Sequence, residues 1–117
     1  MLIRNQDDHV KNIAFLMNRA GEWRLSPAFD VSYAYNPDGS WTHQHQMSLN
    51  GKRDHFELDD LVRFGVFCGF KPPRARAVVE EVHAQVGQWL RFAEQAGVDE
   101  GTAARIQRSL RLGIVDR

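Results

Sequence analysis

Two short extended segments dominate the front of the chain. An apolar run at residues 13–17 has strand length, and residues 22–26 alternate polar and apolar side chains, as a half-buried returning strand does. Between them, Gly21 can adopt the positive φ that a tight turn requires. The pattern therefore predicts a β-hairpin over residues 13–26, with Trp23 on its buried face. If Met17 lies opposite Glu22, Asn12 lies opposite Pro27.

The segments on either side of this hairpin are less regular. Residues 1–5 are apolar and then polar with no preceding cap, which resembles the last turn of a helix. Residues 28–46 show little periodicity. Asn50-Gly51, directly after Met47-Ser48-Leu49, favours a type I′ turn and hence a second tight hairpin.

The back of the chain has helical periodicity and predicts three helices. The first spans about residues 59–68, carries Cys68 on its inner stripe and ends at Gly69. The second begins at Pro72-Pro73 and continues to residue 96. Asp99 is a good N-cap for the third, which is expected to end at Gly113. The inner stripe of the second helix is Ala75, Val79, Val82, Val86, Trp89 (or Leu90), Ala93 and Ala96.

These elements predict a single α+β domain over residues 1–117, mainly helical, with hairpins in residues 1–56 and helices in residues 57–117. Fifteen basic and fifteen acidic side chains cancel, so net charge gives no reason to expect nucleic-acid or membrane binding. No apolar run approaches the roughly 20 residues of a membrane span, and residues 1–8 lack the long apolar segment of a secretory signal. The single cysteine cannot form an internal disulfide, and we expect a cytoplasmic protein.

Candidate chemistry is concentrated in Asp7-Asp8-His9-Val10-Lys11-Asn12, directly before the first strand. Equal strand lengths would return Asp30 to within about 10 Å of Asn12. A carboxylate and a carboxamide supply the hard oxygen ligands that Mg²⁺ takes beside substrate phosphates. This order matches a kinase centre, in which an Asp accepts the hydroxyl proton, a Lys faces the phosphoryl group, and an Asn and a later Asp bind metal.

The usual protein-kinase signatures His-Arg-Asp and Asp-Phe-Gly are missing from the sequence. Instead, Asp-x-His-x-Lys-Asn at 7–12, Trp-Arg-Leu-Ser at 23–26, Pro-Ala-Phe-Asp at 27–30 and His-Gln-Met-Ser-Leu-Asn-Gly-Lys at 45–52 resemble the C-terminal domain of HipA-family serine/threonine kinases. The resemblance implies a fold similar to a kinase large lobe. It implies Asp7 as catalytic base, Lys11 as phosphate-facing lysine, and Asn12 and Asp30 as Mg²⁺ ligands. The choice between Asp7 and its neighbour Asp8 stays open, and His9 is expected to brace the loop.

The resemblance also implies ATP and Mg²⁺ as cofactors, a protein substrate, and a toxin–antitoxin setting with a helix-turn-helix (HipB-like) antitoxin that binds operator DNA. No G-x-G pair occurs among the nine glycines. We therefore expect the small ATP-binding lobe to be missing, and the chain to be a truncated product, degraded copy or fragment that is inactive unless another chain supplies that lobe. The alternative is a non-catalytic interaction module that binds a partner or itself.

Other polar and aromatic residues have simpler interpretations. His43 and His45 would share a strand face, but no cysteine or carboxylate completes a zinc set around them. Arg105, Arg108 and Arg111 recur every three residues and predict a solvated helix face rather than a phosphate-binding one. Trp89 is expected in the core, and Trp41 is unassigned.

Overall fold

The computed structural model describes residues 1–115, which form an α+β unit that is mainly helical, as predicted. The elements are β1 (Phe15–Met17), β2 (Trp23–Leu25), α1 (Leu58–Phe67), α2 (Pro72–Val86), α3 (Trp89–Gln95) and α4 (Glu100–Ser109), with 3₁₀ turns at Val10–Asn12 and Leu112–Ile114. Among the described residues, no helix is both long and apolar enough to cross a membrane.

The predicted hairpin forms, but its register differs by one residue from the prediction. Strands β1 and β2 pair antiparallel with Met17 opposite Trp23, not opposite Glu22. The turn is one residue longer because the Asn18 side chain accepts hydrogen bonds from the backbone N–H groups of Ala20 and Glu22, at 2.9 and 3.0 Å. Gly21 adopts the positive φ of 82° that the sequence predicts.

The hairpin pairing also ends before it reaches Asn12. Its last backbone hydrogen bond runs from the Ser26 N–H to the Ala14 carbonyl oxygen at 2.9 Å. Asn12 lies in a 3₁₀ turn instead of a strand, so the argument that placed it opposite Pro27 by equal strand lengths is wrong.

Both faces of the hairpin are exposed, which contradicts the predicted half-burial. Every residue of β1 and β2 is exposed, and Trp23, predicted to be a core residue, exposes 66% of its surface. Alternation of polar and apolar side chains shows that one face of a strand is apolar, but it does not show that anything covers that face.

The second predicted turn is confirmed. Asn50 and Gly51 both have positive φ, at 53° and 80°, as a type I′ turn requires. Leu49 and Lys52 exchange backbone hydrogen bonds of 2.9 and 3.0 Å across it.

The first five residues do not form the end of a helix, so that prediction is wrong. They form an irregular turn with Arg4 at φ 55°, followed by a parallel bridge between Asn5 and Ala34. The Gln6 N–H donates to the Ala34 carbonyl oxygen at 3.2 Å, which ties the start of the candidate loop to the irregular middle of the chain.

The helices agree with the prediction in position but not in number. The long second helix is interrupted at Gly87 and Gln88, so α2 and α3 are separate. Helix α1 lies where predicted, but Cys68 at its end is exposed and is not a core residue. Helix α4 begins after Asp99, as predicted, but ends four residues before Gly113.

The core combines close contacts between the helices with apolar side chains from the loops. A Cβ on Gly65 of α1 would lie 2.7 Å from the Ala75 Cβ of α2, so the missing side chain permits their close approach. The Trp89 indole N–H of α3 donates to the Ala103 carbonyl oxygen of α4 at 2.9 Å. The buried apolar residues are Leu2, Leu49, Phe56, Leu58, Ala75, Ala93, Ala103 and Ile106.

Candidate functional site

The candidate loop at residues 7–12 is closed by Asn12. Its side-chain amide donates to the Asp7 carbonyl oxygen at 3.0 Å, and its backbone N–H donates to the His9 carbonyl oxygen at the same distance. Because the amide nitrogen makes this bond, the Asn12 Oδ1 remains an acceptor with two lone pairs. The Asp7 carboxylate is about half exposed, and His9 Nε2 lies 4.0 Å from one of its oxygens.

Asp8 has a different environment from Asp7, although the two are neighbours. One of its carboxylate oxygens accepts from His45 Nδ1 at 2.8 Å. The other accepts from the backbone N–H of Gln46 at 2.7 Å and, at 3.4 Å, from that of Met47. The carboxylate of Asp8 is therefore occupied by internal donors and anchors the loop to residues 45–47.

His45 is fully buried between Asp8 and Arg111. Its Nε2 lies 2.9 Å from Nη1 of Arg111. Because a guanidinium can only donate, Nε2 must be the acceptor of this hydrogen bond. Nδ1 therefore carries the ring proton and donates it in the hydrogen bond to Asp8. Burial lowers the pKa of His45, and the hydrogen bond to Asp8 offsets only part of that effect. The ring also meets Phe56 edge-on at 5.3 Å. The arrangement thus favours a neutral imidazole of one defined tautomer.

His43 does not join His45 in a metal site. Its Nδ1 lies 2.9 Å from the Gly39 carbonyl oxygen, and the residue is exposed. Within residues 1–115, no three His, Cys, Asp or Glu side chains form a group that could hold a metal ion.

Arg111 is buried, which corrects the predicted solvated face. Helix α4 ends at Ser109, so the chain turns and carries Arg111 inward, while Arg105 and Arg108 stay exposed as expected. The guanidinium forms an ion pair with Asp54, and its side chain is 8% exposed. Burial lowers the pKa of Arg111, and Asp54 counters part of this shift.

Arg111 also connects the end of the helical part to the start of the chain. Its guanidinium donates to the Met1 carbonyl oxygen at 3.3 Å and to the Gln6 Oε1 at 3.4 Å, and its backbone N–H donates to the Leu2 carbonyl oxygen at 3.1 Å. These contacts join residues more than a hundred positions apart in sequence, so a local sequence pattern does not predict them.

Lys11 and Asp30 are both exposed. Asp30 follows the hairpin with a positive φ of 54°, a conformation that few non-glycine residues adopt but that Asp tolerates better than most. The described contacts bring together Asp7 and Asn12. That Asp30 shares a site with them stays a prediction.

A sizeable cavity lies on another part of the surface. Its volume is about 770 Å³, and its lining includes Arg4, Tyr35, Asp54 and Arg111. None of the four predicted site residues lines it.

Comparison with known proteins identifies the family. A model described as the HipA-like C-terminal domain matches residues 1–110, nearly the whole chain. Neither the curated proteins nor the solved structures gave a match. On the strength of the family match, the chain belongs to the HipA-like C-terminal domain family.

Proposed function

We propose that this chain supplies the catalytic loop of a HipA-type serine/threonine protein kinase, which transfers a phosphoryl group from ATP to a protein hydroxyl. The observation that supports this most directly is the Asn12 side chain closing the loop onto the Asp7 backbone, in a chain that belongs to the HipA-like family. In this proposal the domain is the large lobe, and a small lobe on another chain or segment completes the nucleotide site.

Asp7 is the general base of the proposed reaction. Three N–H groups occupy the Asp8 carboxylate, whereas the Asp7 carboxylate is half exposed and free to meet a substrate hydroxyl. A kinase base accepts the hydroxyl proton as the oxygen attacks phosphorus. Lys11, exposed at the same loop, supplies positive charge toward the transferred phosphoryl group.

Asn12 and Asp30 are the proposed Mg²⁺ ligands. The residues fit such an ion, because the Asn12 amide nitrogen is used in the loop and leaves its oxygen available, and the exposed Asp30 adds a carboxylate. Bound Mg²⁺ would neutralise charge on the nucleotide phosphates. The contribution of the chain is to hold one neutral and one anionic oxygen at the end of the hairpin.

The biological setting is proposed from the family alone. A HipA-type kinase implies a cytoplasmic toxin–antitoxin module, a helix-turn-helix antitoxin and, through it, operator DNA. The chain by itself is expected to transfer no phosphate without the small lobe.

Calorimetric titration of Mg²⁺-ATP tests the metal role. We expect weak binding to the wild-type chain and a loss of about tenfold or more in Asp30→Ala, as removal of one carboxylate ligand from a two-ligand site should cause. Asp38→Ala, at an exposed turn, is the matched control and should bind as wild type does. Equal binding by wild type and Asp30→Ala would refute the assignment of Asp30.

The exposed hairpin favours a second candidate, a non-catalytic module that binds a partner or a second copy through β1 and β2. Phe15, Met17 and Trp23 each expose more than half of their surface, and clustered apolar exposure marks interaction sites. Sedimentation of wild type and of Trp23→Thr at rising concentration discriminates, since a dimer that dissociates in the variant would support this role.

A further inference from the structure

A chain of hydrogen-bonded polar side chains, with His45 fully buried and its partners part-buried, connects the end of the helical part to the candidate catalytic loop. We propose that Asp54, Arg111, His45 and Asp8 form a positioning relay, which orders the loop carrying Asp7 and Asn12. The proposal rests on the proposed function, because the relay matters for phosphoryl transfer only if that loop carries the chemistry. None of the four residues needs to touch substrate.

The contacts of the relay allow only one arrangement of protons. Asp54 accepts from Arg111, Arg111 donates to Nε2 of His45, and Nδ1 of His45 donates to Asp8 at 2.8 Å. A protonated His45 would turn Nε2 into a donor that faces another donor. In the other neutral tautomer, the Nε2–H would also face the Arg111 N–H, and Nδ1 would have no hydrogen to donate to Asp8. The guanidinium therefore selects the tautomer that holds Asp8.

Asp8 connects the fixed His45 ring to the candidate loop, of which it is a part. Its carboxylate also accepts from the Gln46 N–H at 2.7 Å, so Asp8 is held by a segment 38 residues away. That segment is itself fixed, because the His45 N–H donates to the Arg53 carbonyl oxygen at 3.0 Å and Arg53 Nε donates back to the His45 carbonyl oxygen at 2.6 Å. Among the described residues, the Asp7 carboxylate accepts no such hydrogen bonds, so we infer that its position depends on that of Asp8.

Arg111 links the relay to the C-terminal end of the described chain. It lies one position beyond the segment that matches the family model, which ends at residue 110. Its side chain is 8% exposed, and its guanidinium bonds to Asp54 and Gln6. The loop thus depends on a residue outside the family-matched segment.

Two substitutions of His45 separate positioning from simple stabilisation. Asparagine places its amide nitrogen near the position of Nδ1, so His45→Asn keeps a donor for Asp8 and loses the acceptor for Arg111. Glutamine places its amide group near the position of Nε2, so His45→Gln keeps an acceptor for Arg111 and loses the donor for Asp8. A role limited to filling the core predicts similar effects of both, while the relay predicts a larger effect of His45→Gln on the loop.

Nuclear magnetic resonance of the full chain supplies four readouts. The ¹⁵N shifts of the His45 ring report its tautomer. Hydrogen exchange of the Asn12 N–H reports loop order, and exchange of the Trp89 indole N–H, bonded to Ala103, reports global opening. Added Mn²⁺, used as the metal probe, broadens the resonances of residues near its site. His43→Gln is the matched control, since that residue is exposed two positions away.

We expect the wild-type ring to carry its proton on Nδ1. Relative to Trp89, Asn12 exchange should accelerate about tenfold in His45→Gln, the effect of losing a hydrogen bond to a carboxylate, and less than about threefold in His45→Asn and His43→Gln. A wild-type proton on Nε2, or equal acceleration in both His45 variants, would overturn the relay. If these readouts hold but Mn²⁺ leaves Asn12 and Asp30 unbroadened, the proposed metal site fails while the ordering of the loop by His45 is still supported.

Discussion

Asp60 ties the type I′ turn to the first helix, and its removal is the most informative stability test in this chain. Its carboxylate accepts from Lys52 Nζ at 2.7 Å and from the Glu57 N–H at 2.9 Å, which completes a capping box at the start of α1. Its backbone carbonyl also accepts from the Asn50 side chain at 2.8 Å. The side chain is 7% exposed, so water cannot replace these partners.

The substitution Asp60→Asn keeps an acceptor for the Glu57 N–H and removes the charge that Lys52 meets. Hydrogen bonds to charged groups contribute about 1.5–3 kcal/mol, and the exposure of Lys52 places this pair in the lower part of that range. We expect Asp60→Asn to lower the free energy of unfolding by about 2 kcal/mol at neutral pH.

The effect should depend on pH in a defined direction. The hydrogen bond from Lys52, followed by that from the Glu57 N–H, lowers the pKa of Asp60 below its ordinary value of 3.8. A depressed folded-state pKa gives stability that is present above the unfolded-state pKa and is lost as the pH falls through the folded-state value. The difference between wild type and Asp60→Asn should therefore shrink in acid.

Urea unfolding followed by circular dichroism, at pH 7 and at about pH 3, measures both effects. Asp59→Asn is the matched control, since its carboxylate is exposed, lies 3.9 Å from Arg63 and should contribute little. A loss below about 0.5 kcal/mol in Asp60→Asn, or a loss that is the same at both pH values, would refute the reasoning.

Two further predictions concern packing. Gly65→Ala should lower the melting temperature, because the new Cβ would lie 2.7 Å from the Ala75 Cβ. Overpacking costs about 1–3 kcal/mol, which exceeds the gain of about 0.5–1 kcal/mol from replacing a helical glycine. The control Gly113→Ala, whose Cβ would meet open space, should leave the melting temperature unchanged. Trp23→Thr should change the free energy of unfolding by no more than about 0.5 kcal/mol, since the ring is exposed, and a larger loss would mean that the hairpin is covered in solution.

The features that the sequence predicted well are those decided by neighbouring residues. Asn50-Gly51 forms a type I′ turn because both residues tolerate positive φ, and Asp99 caps α4 through a 2.9 Å bond from the Thr102 N–H. Each outcome depends on a few residues that are adjacent in the chain. A sequence pattern therefore contains all the information that these features need.

The features that the sequence did not predict depend on tertiary contacts. The apolar stripe from Ala75 to Ala96 runs across the break at Gly87 without a change in period, so periodicity alone could not locate the end of α2. The burial of Trp23 was overestimated for a related reason, since the pattern of a strand does not say what packs against it. The hairpin turn was one residue longer than assumed because of a side-chain bond made by Asn18.

In the candidate loop, the residue types are visible in the sequence, but the contacts that distinguish Asp7 from Asp8 come from distant parts of the chain. Asp7 and Asp8 are the same residue type in adjacent positions, and the sequence left the choice of base between them open. They differ in what surrounds them: Asp8 meets His45, 37 positions away, and His45 meets Arg111, a further 66 positions on, whereas Asp7 keeps an accessible carboxylate. A carboxylate saturated by internal donors is a weak acceptor for a substrate proton, so the distant partners of Asp8 are what favour Asp7 as the base.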